Sequence, residues 1–285
     1  MPSSSRLYRT DAIVLRRQDF GEADRILTLY SPTLGKIRAI GKGVRRPKSR
    51  LGGHVEQFTH VNVLVAQGRN LDIVTQAEAR RPFHSIRDDL WKAAYASYAA
   101  ELVDRFTEER LENRAVFDLL LDVLTFLDGT PLMAQPGQVR EPAGADAATA
   151  ARFELALRNY EAQLLNHLGY APELVNCTGC QTRLSPGDNR YSAASGGVLC
   201  EHCGVLQPAS RPISVTAIKA LRLMSQEPFG VFDRLRLPDT ISRELETALR
   251  SQISFILERQ PRTSEFLDRL KADHRRELRV AQASA

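Results

Sequence analysis

The hydrophobic period of this chain changes at Pro82. Before that residue apolar positions alternate. After it they recur three or four apart, so the chain divides into a β part followed by an α part. Leu7–Arg17, Arg25–Tyr30, Lys36–Val44, Val55–Val65 and Leu71–Gln76 read as five short strands. Val61, Val63 and Val65 alternate as a half-buried strand does. Gly21, Pro32-Thr33-Leu34-Gly35, Gly52-Gly53 and Gly68-Arg69-Asn70 supply the breaks. Five short strands joined by glycine turns suit a small closed barrel. The oligonucleotide-binding (OB) barrel has that count, although other small barrels fit the same pattern.

Beyond Pro82, Trp91, Tyr95, Tyr98, Leu102 and Phe106 form a helical stripe. Val116, Leu120, Val123 and Leu127 form a second. Phe153, Leu157, Tyr160, Leu164 and Leu168 form a third. The aromatic stripe reads as core packing in preference to a peptide-binding groove. The Pro-, Gly- and Ala-rich stretch from Gly129 to Ala150 reads as a mobile loop between helices. Helical spacing returns with Ile218, Leu221 and Met224, continues from Ile241 to Ile256, and ends in an amphipathic stretch over Ser264–Arg279.

All four cysteines fall in one pattern: Cys177-x2-Cys180, then Cys200-x2-Cys203. In a reducing compartment this spacing reads as metal before it reads as disulfide. Each C-x2-C turn presents two thiolates on one side, and two such turns complete a tetrahedral four-sulfur shell. Such a shell has no open coordination position, so one structural Zn2+ is expected, ahead of a redox dithiol or a catalytic zinc. His202 is a spare donor inside the second turn. The intervening LSPGDNRYSAASGG has little core of its own and needs the metal to hold its shape.

The expected architecture is therefore α+β and multidomain: an N-terminal five-stranded OB-fold β-barrel followed by an α-helical domain with an inserted four-cysteine zinc-finger element. The boundaries read as 1–80 for the barrel, 81–175 for the first helical part, 176–210 for the zinc element and 211–285 for the second helical part.

Charge separates along the same division. Residues 1–85 carry +8, whereas the remaining 200 carry −3. Between Lys36 and Arg50 stand Lys36, Arg38, Lys42, Arg45, Arg46, Lys48 and Arg50 with no acid among them. A concentrated positive field suits a polyphosphate partner, because each neutralised phosphate releases condensed counterions. A merely solubilising surface mixes its signs. Arg16 and Arg17 extend the path on a neighbouring strand, and Arg25 reads as a structural partner of Glu22 or Asp24 about as readily as a DNA contact. The basic segment holds no aromatic residue, so binding is expected to be dominated by phosphates, indifferent to sequence and tolerant of single and double strands. Six or seven phosphate contacts give a log–log salt slope of about −5 to −6 on duplex.

Other chemistries find no support. Gly35-Lys36-Ile37-Arg38-Ala39-Ile40-Gly41-Lys42-Gly43 lacks the spacing of a phosphate loop and has no Ser or Thr for magnesium. There is no HExxH helix and no G-x-S-x-G elbow. The pairs Glu22/Asp24 and Asp88/Asp89 are explained by salt partners or helix starts before two-metal chemistry. No catalytic constellation is found, and no enzyme activity is expected. No stretch approaches the roughly eighteen apolar residues of a membrane span. MPSSSRLYRTD lacks the apolar core of a secretion signal, which places the expected location in the cytoplasm, with the nucleoid.

The residues now described resemble the RecO family of bacterial recombination mediators. The likeness rests on Gly21-Glu22-x-Asp24-Arg25, Gly35-Lys36 and Gly41-Lys42-Gly43-Val44-Arg45-Arg46-Pro47-Lys48-Ser49-Arg50-Leu51. A second block, Phe153-Glu154-Leu155 with Leu168-Gly169-Tyr170-Ala171-Pro172-Glu173-Leu174, runs into Cys177. A weaker third block is Arg262-Thr263-Ser264 with Phe266-Leu267. The Gly129–Ala150 stretch is longer than the family requires. The resemblance implies an OB domain, a helical domain and a zinc element. It also implies a non-enzymatic role: binding single- and double-stranded DNA, annealing complementary strands, and helping the recombinase RecA load with the partner RecR. Binding to the acidic, Phe-ended tail of single-strand-binding protein is implied as well. A zinc-scaffolded nuclease and an RNA-binding factor are the alternatives from other classes.

Overall fold

The computed structural model describes residues 7–130 and 147–283. Two compact units divide the chain, Met1–Pro131 with Glu265–Lys271 and Leu132–Ser264 with Ala272–Ala285.

Five strands close the barrel in the first unit: β1 (Leu7–Phe20), β2 (Asp24–Ser31), β3 (Gly35–Gly41), β4 (His60–Ala66) and β5 (Asp72–Arg81). Their order is β1-β2-β3-β5-β4, with β4 returning to β1. Only β3 and β5 run parallel, through Ala39↔Asp72, Ile40↔Ile73 and Gly41↔Val74. This is the closed five-stranded OB arrangement expected from the strand count. Every second residue points inward, and Ala12, Val14, Leu27, Leu29, Ile37, Ala39, Val61, Val63, Val65 and Val74 fill the core. The β1–β2 register shifts between Val14 and Arg16. Such a bulge bends a long strand and lets it serve both edges of a closing sheet.

The strand bounds differ from expectation most at β1, which runs on to Phe20, at β5, which runs on to Arg81, at the end of β3 and at the start of β4. β3 stops at Gly41 because the chain turns there, with the Gly43 N–H donating to the Asp24 carboxylate at 2.7 Å. The fourth strand starts at His60, not Val55. Val55 still enters the core, but from a loop that follows a short 3-10 turn at Gly52–His54.

Three helices accompany the barrel: α1 (His84–Asp88), α2 (Leu90–Phe106) and α3 (Arg114–Gly129). The Asp89 carboxylate caps α2 by accepting from the Trp91 and Lys92 N–H groups at 2.8 and 3.0 Å. This is the helix-start role expected for that acid. Tyr95, Tyr98 and Leu102 are buried, so the aromatic stripe of α2 is core. The connector between α2 and α3 adds to the edge of β3: the Arg110 N–H donates to the Lys36 carbonyl at 3.0 Å. A Cβ on Gly35 would lie 1.9 Å from the Leu111 carbonyl oxygen, and φ there is +62°, so only glycine permits this approach.

The second unit contains α4 (Ala147–His167), a small sheet of β6 (Arg190–Ser192), β7 (Gly197–Leu199) and β8 (Arg211–Pro212), the short α5 (Glu201–Val205), then α6 (Val215–Gln226) and α7 (Asp239–Ile256). Helix α8 (Arg262–Ala283) ends the described chain. α4, α6 and α7 pack together on both sides of the cysteine segment in sequence, as one bundle with an insertion would. The Asn159 amide donates to the Met224 carbonyl at 2.9 Å, and the Gln163 amide donates to that of Glu227 at 2.6 Å. Of the loop expected between Gly129 and Ala150, α4 already covers 147–150, and residues 131–146 lie outside the described residues. Among the described residues no helix is long and apolar enough to cross a membrane.

Candidate nucleic-acid interface and metal centre

Strand pairing sets out the outward face of β1, β2 and β3 in rows: Ile13–Tyr30–Lys36, Arg16–Thr28–Arg38, Gln18–Ile26–Ile40 and Phe20–Asp24. The first row is covered. Tyr30 is fully buried and its hydroxyl donates to the Asn113 carbonyl at 3.4 Å. The Lys36 ammonium lies 3.2 Å from the Asp104 carboxylate and also donates to the Asp104 carbonyl, leaving 13% of its side chain exposed. The remaining rows face solvent, with Arg16, Gln18, Phe20 and Arg38 exposed and Thr28, Ile26 and Ile40 partly so.

The cationic loop leaves β3 beside the β1–β2 hairpin. The Arg45 N–H donates to the Ala23 carbonyl at 2.9 Å, and successive turns run from Gly43 to Arg46 and from Arg46 to Ser49. Lys42, Arg45, Arg46, Lys48 and Arg50 are all exposed. Among the described residues, Arg16, Lys42, Arg46, Lys48 and Arg50 pair with no carboxylate. Arg38 is 3.9 Å from Glu109 and Arg45 is 3.5 Å from Asp19, and all four groups are well exposed. Pairs of that kind contribute little and yield readily to a stronger anion.

Lys36 and Arg17 stand apart from the other seven residues expected to contact phosphate. Lys36 is committed to Asp104, and Arg17 is bound to Glu56 on the side that faces away from the open rows. Arg25 is a structural residue, but its partners are Asp19 at 2.9 Å and Glu56 at 3.1 Å, in place of Glu22 or Asp24. The hydrogen bond from Arg25, followed by the charges of Arg45 and Arg25, outweighs desolvation and holds the Asp19 carboxyl below the usual carboxylate range. Asp24 acts on the backbone of the loop and not on Arg25. Sequence reasoning overlooked Phe20 as a surface residue. The signal was available in the spacing Arg16-x-Gln18-x-Phe20, which puts all three on one face once the bulge precedes Arg16.

In the second unit the four cysteines converge. They form no disulfide, and their sulfurs all lie within 4.8 Å of one another. The Cys180 and Cys200 sulfurs are 3.8 Å apart. A tetrahedron of thiolates about 2.3 Å from a zinc ion has edges of about 3.8 Å, so the donor set fits such an ion. The Gly179 and Cys200 N–H groups donate to the Cys177 sulfur at 3.4 and 3.3 Å. A Cβ at Gly179 would sit 3.0 Å from the Cys203 sulfur. Burial opposes ionisation of Cys177, but N–H donors from Cys180, Cys200 and Gly179 bring its thiol down to about 6. Burial and the neighbouring cysteines push Cys203 up to about 12, since further negative charge is disfavoured there without a cation. His202 is exposed and lies outside the cluster.

A family model for the N-terminal part of recombination protein O matches residues 5–83, and one for its C-terminal part matches 87–139 and 146–265. The chain belongs to the RecO family. A DNA repair protein RecO of Roseiflexus sp. (strain RS-1) is 40% identical over 280 residues, covering 98% of this chain and 90% of that protein. Another, from Dehalococcoides mccartyi (strain CBDB1), is 38% identical over 264 residues, covering 93% and 96%. A third, from Pelotomaculum thermopropionicum, is 37% identical over 266 residues, covering 93% and 94%. The RecO resemblance noted from the motifs therefore holds for nearly the whole chain, across the barrel and the cysteine-bearing helical part alike.

Proposed function

We propose that this RecO-family chain is a recombination mediator in DNA repair. In this reading it binds single- and double-stranded DNA without regard to sequence and anneals complementary strands. With RecR it promotes loading of RecA onto DNA coated by single-strand-binding protein. The observation that carries the reading is the open outer face of β1–β3 continuing into an exposed loop of five cations. Arg16, Arg38, Lys42, Arg45, Arg46, Lys48 and Arg50 neutralise phosphates. Annealing follows from the same charge: a cationic surface indifferent to base identity screens two polyanions from each other and leaves their base edges free to pair. The printed names of the relatives, DNA repair proteins, agree with it.

The four cysteines hold one structural zinc ion in this reading, which fixes the 176–210 element and takes no part in a reaction. The barrel over 1–80 and the helical parts over 81–175 and 211–285 serve as DNA-binding and partner-binding modules, in the cytoplasm with the nucleoid. A cavity of about 600 Å³ bordered by β6, β8 and α7 is the proposed receptor for the tail of single-strand-binding protein. Arg211 and Arg243 among its lining suit an acidic peptide, and Phe255 and Ile213 suit an aromatic end.

The test is strand annealing of complementary oligonucleotides, with and without single-strand-binding protein, over a salt series. Accelerated annealing that weakens with salt is expected, with no cleavage of labelled DNA in magnesium or manganese. Cleavage would favour a nuclease, and stronger competition by RNA would favour an RNA factor.

A further inference from the structure

Phe20 is 52% exposed, and no aromatic partner or cation–π contact accompanies it among the described residues. The other aromatics of the barrel strands are engaged: Tyr30 is fully buried, and the Tyr8 hydroxyl donates to the Asp72 carboxylate at 2.5 Å. Phe20 lies on the same face of β1 as Gln18 and Arg16. The adjoining row continues through Ile26 and Ile40, both partly exposed. The open face thus has an apolar centre, with Arg16 and Arg38 along one edge and the loop that begins at Lys42 along the other. The Asp24 carboxylate at the same end is occupied by the Gly43 N–H, which fixes that loop.

We propose that Phe20 is a stacking platform for an unpaired nucleobase, with Ile26 and Ile40 as the adjoining apolar floor. The occupant is single-stranded nucleic acid, because only an unpaired base can turn its π-face to the ring while its phosphates reach cations on either edge. A duplex offers the same phosphates but keeps its bases stacked within. The inference rests on the proposed phosphate-binding role of this surface and deepens it: charge supplies affinity for both strand forms, and Phe20 supplies a preference for the single strand. Stacking engages the face of the base and leaves its pairing edge open, so the platform is compatible with annealing.

The test measures binding of the full-length protein to labelled oligothymidylate and to a labelled hairpin duplex at one salt concentration. Phe20→Ala should weaken oligothymidylate binding by about 5- to 150-fold, the loss expected for one base–aromatic stack, while duplex affinity stays within about 2-fold. Phe20→Trp should retain single-strand affinity, with its fluorescence quenched by oligothymidylate and not by duplex. Trp91, the single native tryptophan, supplies the baseline in unsubstituted protein. Equal losses on both DNAs, or no loss on either, would overturn the platform. Arg46→Glu with Lys48→Glu separates the two ideas, since it should weaken both DNAs. If that variant binds as the parent does while Phe20→Ala loses the single strand, the cationic reading falls and the platform stands. If the unsubstituted protein binds neither DNA, both fall.

Discussion

Arg158 and Glu161 meet at 3.0 Å on α4 with side chains 2% and 0% exposed. Glu246 on α7 lies 3.7 Å from the same guanidinium, and its carboxylate is in turn 3.1 Å from Arg250. Four charges therefore tie α4 to α7 inside the helical bundle. Removing one member of a buried pair strands the other without water. Arg158→Met, which leaves the fully buried Glu161 without this cation, is expected to destabilise this unit by about 3–5 kcal/mol, whereas replacing Arg158 and Glu161 together by Met and Leu should be near neutral. Urea unfolding of the single and double variants checks it, and equal losses would refute the account.

His60 is expected to give the barrel a pH dependence. Its ring is packed edge-on against Phe117, with centroids 5.8 Å apart, and neither ring nitrogen finds a hydrogen-bond partner among the described residues. Burial lowers its pKa below 6.5. Asp11 pulls the other way, and Arg81 and Arg80 reinforce the drop. Below 6.5 the unfolded chain binds a proton that the folded chain resists, so this unit should lose stability as pH falls through that value and level off once the folded ring also charges. His60→Leu should flatten the curve between pH 7 and 5, as read from thermal midpoints across a pH series.

Lys36 and Arg46 sit ten residues apart in the same basic run yet should behave oppositely. Lys36→Met breaks the contact with Asp104 and is expected to cost about 1–3 kcal/mol of folding stability while leaving DNA affinity nearly intact. Arg46→Glu with Lys48→Glu should leave the melting temperature in place and abolish annealing. With seven exposed cations on the path, the salt slope of the parent protein on duplex should be about −5 to −6, and a slope near −1 removes the phosphate-binding account.

One zinc ion per chain is expected by elemental analysis. A strong chelator, or Cys200→Ser, should remove it and unfold the segment between Cys177 and Cys203, seen as new proteolytic sites there, with the barrel left resistant. Chain that retains full protease resistance after complete metal removal would show that the cysteine segment holds itself.

The barrel and the metal element were legible because their signals are local: alternation of period two, glycine breaks, and two pairs of cysteines at fixed spacing. The charge of the loop was equally plain. What escaped was tertiary. Lys36 looks like its neighbours in the run, but its partner Asp104 is sixty-eight positions away on α2. Arg17 and Arg25 share Glu56 from a distant loop. The side of the sheet that Phe20 takes depends on the register shift after Val14, so its spacing from Arg16 is readable only once that bulge is known.

Gly35 and Leu111 carry a consequence for how this protein can be dissected. With the connector between α2 and α3 pressed onto β3 where no side chain fits, a fragment ending at Arg81 would leave Tyr30 uncovered, Lys36 without its counter-charge and a strand edge bare. A piece that keeps these contacts runs from the N-terminus through Gly129, so the barrel is inherited, truncated and engineered together with its first three helices, and the compact unit also takes Glu265–Lys271 of α8.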